Sequence, residues 1–139
     1  MSGPECETSL AAAVRQFNAG DYFECHETLE ELWLGERGEL RHLYQGILQI
    51  GVGLLHLQRG NAAGARSLLQ RGAGLVEPFA PVACGLDLSR LLAASNRILF
   101  ALLEEGAAAA GRLLAAAPPR LEPGRGGEPR ARPLTSAGR

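Results

Sequence analysis

The chain has 139 residues, 46% of them apolar, which suits one compact domain with a substantial core and leaves little room for a second. Its net charge of -1 divides unevenly, because residues 1 to 117 carry nine arginines against thirteen acidic side chains while residues 118 to 139 carry five against two. An acidic body, and a basic tail with no aromatic side chain for stacking bases, argue against nucleic acid as a partner; no apolar run approaches the ~18 residues of a membrane span.

The start, Met1-Ser2-Gly3-Pro4-Glu5, has neither the basic flank nor the apolar stretch of a signal peptide, so a cytoplasmic location is expected. Cys6, Cys25 and Cys84 are odd in number and widely spaced, and reduced thiols are the simpler expectation.

Strand signals are almost absent, and the Ala/Leu-rich background reads as helices. The first is expected over residues 9 to 18, burying Leu10, Val14 and Phe17 and stopping at Gly20. Asp21 should cap the second, with Glu24 completing a capping box, and Leu34 and Gly35 should end it. The third, over residues 39 to 59, is apolar around most of its circumference and should be central. Its exception is a stripe of His42, Gln45, Gln49 and His56, bordered by Gly46 and Gly53. Asn61 can cap the fourth, over residues 62 to 77. Pro78 and Pro81 break the chain, a fifth helix starts near Asp87, and Gly106 interrupts it before an Ala-rich segment that reaches about residue 117. From Pro118 onward the Pro/Gly/Arg-rich sequence has no periodicity and is expected to be disordered. The architecture predicted is an all-α, compact bundle of about five helices, one helical domain over 1 to 117 and a disordered tail over 118 to 139.

Any chemistry is expected to start on the second helix. At about 100° per residue, His26 and Glu30 lie one turn and ~40° apart, and Glu27 a further ~60° round, beside the only tryptophan, Trp33. The loop to the third helix is short, so the two should form an antiparallel hairpin. If Leu34 faces Leu40, Glu30 falls near Tyr44 or Gln45 and His26 near Leu48 or Gln49. His56 then lies on the order of 10 Å along the axis from His26, too far for easy sharing of one ion. Gly46 and Gly53 would let the two helices approach closely at this seam.

Three readings fit these residues. One is a buried hydrogen-bond network that fixes helix register. Another is a metal site, since His and Glu at i and i+4 can ligate one divalent ion, and Glu27 would then be the general base on a bound water. The ligand supply is thin: there are three histidines, and no Glu-x-x-His motif. A Cys25-His26 nucleophile pair is set aside, because neighbouring helix residues diverge by ~100°.

The segment Phe17-x-x-Gly20-x-Tyr22-Phe23-Glu24-x-His26-Glu27-x-x-Glu30-x-x-Trp33 resembles the signature of the domain-of-unknown-function family numbered 309, a group of small helical proteins. Gln45-Gly46-Ile47-Leu48-Gln49 is similar to that family's Gln-Gly-Leu-Ile-Gln stretch, followed by His56, Gly60-Asn61 and Gly64-Ala65; together the motifs cover about residues 14 to 76. The resemblance implies a five-helix bundle and the label of a predicted metal-dependent hydrolase. Its characteristic polar residues fall on His26, Glu27, Glu30, Gln45, Gln49 and His56.

The leading expectation is therefore a hydrolase using one divalent metal ion held by His26 and Glu30, with Glu27 as base and Gln45, Gln49, His56 and Trp33 binding the ligand. The alternative is a non-enzymatic helical binding or interaction module with a structural polar network. Its partner would be a small polar ligand or another copy in a homo-oligomer, and an interaction role predicts an exposed apolar patch between the fourth and fifth helices.

Overall fold

The computed structural model describes residues 4–124. Six helices follow one another: α1 (Pro4–Asn18), α2 (Tyr22–Gly35), α3 (Leu40–Gln58), α4 (Ala62–Val76), α5 (Leu88–Glu105) and α6 (Ala107–Ala116). The expected all-α bundle is what forms, with the sixth helix created by Gly106, whose φ of 101° breaks the continuous apolar pattern. Leu10, Phe17, Tyr22, Leu29, Leu43, Ile47, Ile50, Leu54, Leu69, Leu88, Leu91 and Ile98 are the largest wholly buried side chains, and they form one cluster drawn from the first five helices. None of the described helices is long and apolar enough to cross a membrane.

Helix α1 begins five residues earlier than the periodicity indicates. Glu5 and Glu7 sit in its first turn, where carboxylates complement the helix dipole, and Cys6 is buried there. The capping box expected at Asp21 does not form: Asp21 holds the N-cap position and its carbonyl accepts from the Cys25 amide at 2.9 Å, but its side chain makes no capping bond. Asn61 and Asp87 do cap, each accepting from an amide three residues on at 3.0 Å.

Between α4 and α5 lie a short 3-10 turn (Glu77–Phe79) and a two-stranded antiparallel hairpin, β1 (Val82–Ala83) and β2 (Leu86–Asp87). Its two-residue turn, Cys84-Gly85, has φ values of 52° and 72°, the left-handed pair that suits a tight hairpin. Cys84 is joined to Cys6 in a disulfide with the Cα atoms 5.5 Å apart and 78 residues of sequence between them. This corrects the expectation of three reduced thiols. Cys25 alone is free among the described cysteines; it is buried and its thiol meets the Ala13 carbonyl at 3.4 Å.

The close approach expected between the second and third helices occurs instead between α3 and α4. A Cβ on Gly46 would lie 2.7 Å from Val76 Cγ2 and 3.0 Å from the Gly72 carbonyl, and one on Gly53 would lie 3.1 Å from Leu69 Cγ. Gly72 answers from α4, where a Cβ would meet the Gly46 carbonyl at 2.8 Å. Small residues on both partners bring the two backbones together.

The ordered chain also runs past the expected boundary at residue 118. Leu121 is buried, and Asn18 clamps its backbone from both sides, donating to its carbonyl at 3.0 Å and accepting from its amide at 2.7 Å. The Asp87 amide then donates to the Glu122 carbonyl and the Gly124 amide to the Gly85 carbonyl, so the segment pairs alongside β2. A stretch with no helical period is held here by backbone pairing and one buried leucine. The rest of the expected tail, 125 to 139, lies outside the described residues.

Candidate functional site

The α2/α3 hairpin has the register that its short loop predicts. The Arg41 guanidinium lies over the Trp33 ring at 4.4 Å from the centroid, and Gly51 backs onto Phe17 and Tyr22, whose rings a Cβ there would meet at 3.8 and 3.9 Å. These two contacts put 33 level with 41 and 22 level with 51. Glu30 thus falls level with about 44 and His26 with about 48, as expected.

Which side of α3 faces this hairpin differs from the expectation. Gly46, Ile50 and Gly53 are turned to α4 and Gly51 to the α1/α2 corner. His42, Gln45, Gln49 and His56 therefore occupy the outer arc of α3, on the side away from Leu43, Ile47 and Leu54. The stripe lies at the surface of the bundle, on the flank between the α2-facing and α4-facing sides of α3, and not inside it. His26, Gln45, Gln49, His56 and Trp33 are half-buried along it, while Glu27, Glu30 and His42 are exposed. His26 keeps the company of Phe23, whose ring centroid is 6.2 Å from its own. His56 stands apart: it is more than two turns beyond the level of His26, on the order of 12 Å along α3, and its Nδ1 is 3.2 Å from Asn61 Nδ2.

Among the described residues no hydrogen bond joins His26, Glu30, Gln45 and Gln49, so the seam is not a closed polar network. Two of its polar atoms are instead buried without a partner: Trp33 Nε1, a donor, and Gln49 Oε1, an acceptor. Leaving such atoms unpaired costs roughly 1–3 kcal/mol each; Gln16 Oε1 and Ser95 Oγ, away from the seam, are buried and unpartnered in the same way.

A divalent ion fits less well. Among the described residues no group of three or more His, Cys, Asp or Glu side chains gathers where it could hold a metal. His26 and Glu30 offer two donors from one turn of α2, whereas a hydrolytic zinc takes three protein ligands and keeps a fourth position for water. Two donors on one turn fall short of the protein ligands that a hydrolytic centre needs.

Nor does the seam hold a nucleophile. Burial pushes the Cys25 thiol up to about 12 and turns it into the core, away from His26. Tyr22 is raised to about 12 by burial and then by Cys25, and Tyr44 is raised by burial and then by Glu36. Both phenols stay neutral near pH 7. Arg41 was not singled out from the sequence, although pairing Leu34 with Leu40 already sets residue 41 opposite Trp33.

Comparison with known proteins places the match on this half of the chain. The family described as Domain of unknown function (DUF309) matches residues 10–68, which run from α1 through α3 into α4. Uncharacterized protein YpuF of Bacillus subtilis (strain 168) is 43% identical over 75 residues, covering 52% of this chain and 43% of that protein. An Uncharacterized protein of Aquifex aeolicus (strain VF5) is 32% identical over 69 residues, covering 49% of this chain and 19% of the relative. The chain spans less than half the length of either relative, and the family match over 10–68 contains every residue of the α2/α3 seam. Over residues 10–68 the chain is similar to the DUF309 family, the one that the motifs around His26 and Gln45 resemble.

Proposed function

We propose that the chain is a helical binding module whose α2/α3 seam receives a small, elongated polar ligand. The observation that carries this reading is the pair of unpartnered buried atoms, Trp33 Nε1 and Gln49 Oε1. They lie on the order of 12 Å apart along α3, because residue 33 is level with 41. A ligand with a hydrogen-bond acceptor at one end and a donor at the other satisfies both. His26 and Gln45 lie between them, and the Arg41 guanidinium stacked on Trp33 adds a cation beside the acceptor end.

Trp33 is the only tryptophan, so its emission reports the site directly. Titration with a panel of small amides, carboxylates and amino acids should find compounds that shift or quench that emission saturably, with matching heats by calorimetry. Gln49→Leu should weaken such binding by about tenfold, the cost of one lost hydrogen bond, while leaving the helical circular dichroism unchanged. A panel that produces no saturable change would sink the proposal.

A metal-dependent hydrolase is the rival, favoured by His26 and Glu30 standing one turn apart on the seam, with Glu27 as the base that the resemblance implies. Metal analysis of protein prepared without tag histidines separates the two. Stoichiometric metal that disappears in both His26→Ala and Glu30→Ala would favour the hydrolase, with the ligand set completed by some other donor. Metal-free protein that still binds the polar ligand favours the module.

A further inference from the structure

Helix α5 turns an unpartnered ridge outward. Phe100 is 62% exposed and Leu103 48% exposed, although most large apolar side chains of the described chain are buried. On one side of Phe100 a hollow of about 600 Å³ opens between α5 and α6, lined by Ala93, Ala101, Ala109 and Leu113 and edged by Asn96, Arg97 and Glu105. The apolar patch expected between the fourth and fifth helices thus lies on α5 and faces α6.

The charges on the same ridge say what covers it. Arg97 and Glu104 are exposed, seven residues apart, which is two helical turns and one face. Phe100 lies close to their midpoint. Neither has an ion-pair partner among the described residues, where Arg120–Glu122 is the pair formed. A face carrying a cation and an anion at similar distances on either side of an aromatic residue is complementary to itself when turned by 180°.

We propose that α5 is the interface of a two-fold homodimer, in which two copies of the helix cross antiparallel about a point between Phe100 and Ala101. Each Phe100 enters the hollow beside α6 of the other copy, and each Arg97 meets Glu104 of the second copy at the rim. The buried ring supplies affinity, whereas the exposed ion pairs set the register and contribute little energy. This surface lies outside residues 10–68 and is independent of the seam.

The test is sedimentation equilibrium of the full chain from micromolar to millimolar concentration. A monomer–dimer equilibrium is expected. Phe100→Glu should raise its dissociation constant by roughly 30-fold or more, as for a central interface residue, with a melting curve unchanged at concentrations where both proteins are monomeric, because the residue is exposed in the monomer. Arg97→Glu and Glu104→Arg should each weaken the dimer by placing like charges opposite one another, and the double exchange should restore it. A chain that stays monomeric over this range, its α5 face left to a different partner, overturns the proposal. So does a dimer indifferent to Phe100→Glu, or a double exchange no better than the single ones.

Discussion

The Arg41 guanidinium rests on the Trp33 ring, 4.4 Å from its centroid, and joins the first turn of α3 to the last turn of α2. The contact marks the hairpin register that levels His26 with Leu48. It also covers the one chromophore of the seam. Arg41→Ala is expected to cost about 0.5–1 kcal/mol, read as a lower denaturant midpoint, and to shift Trp33 emission to longer wavelength as water replaces the guanidinium. Arg41→Lys should recover only part of both effects, since an ammonium cannot stack as a plane.

The glycine seam between α3 and α4 gives opposite outcomes at two positions. Gly46→Ala drives a methyl to 2.7 Å from Val76 Cγ2 and 3.0 Å from the Gly72 carbonyl, and the backbone oxygen cannot yield as a flexible side chain would. A loss of about 1–3 kcal/mol is expected. Gly74→Ala, on the same pair of helices, has nothing within 4 Å and should gain up to ~1 kcal/mol from helix propensity. Urea denaturation of the two variants checks the contrast; equal effects would contradict the packing described.

Alkaline pH should destabilise the fold. Burial raises Cys25 from 9.0 to about 12 and Tyr22 from 10.0 to about 12, so between these limits the native state holds protons that the unfolded chain releases. Both contributions are fully present below pH 9 and are lost as pH climbs toward 12. The melting temperature should therefore fall across that window, less steeply in Cys25→Ala and in Tyr22→Phe. Native Cys25 should also resist alkylation at pH 8 and react once denatured.

The Cys6–Cys84 disulfide closes most of the chain into a loop, with 78 residues of separation. Reduction, or the Cys6→Ser/Cys84→Ser pair, should cost about 2–4 kcal/mol. Thiol counting on the denatured, unreduced protein should return one free cysteine, Cys25. Three would show that the bridge does not form.

Asn18 governs the last described segment. Asn18→Ala removes both bonds to the Leu121 backbone and leaves those groups unpaired. Exchange of the Leu121 and Gly124 amides should accelerate by tenfold or more, with the α3 amides unchanged. Asn18→Asp, which keeps the acceptor and loses the donor, should fall between.

The sequence by itself determined what is local. Apolar periodicity placed the helices, Gly106 marked a break, Asn61 marked a cap, and a loop of a few residues set α2 against α3 in a register that Trp33 and Arg41 bear out. Each depends on residues within a few turns of one another, where helix geometry is fixed by the backbone alone. Only the tertiary structure decided the rest. Gly46 and Gly53 border the polar stripe and could have served either neighbour of α3; packing volume assigned them to α4. Cys6 and Cys84 met because α1 and the β1/β2 hairpin pack together across 78 residues. Residues 118 to 124, without any period of their own, were ordered by partners on Asn18 and β2. The seam itself shows the division: its residues were legible on two helical wheels, but whether His26, Glu30, Gln45 and Gln49 would close on one another depended on which arc of α3 the core left outside. It left them on the surface, with Trp33 Nε1 and Gln49 Oε1 buried and unpaired.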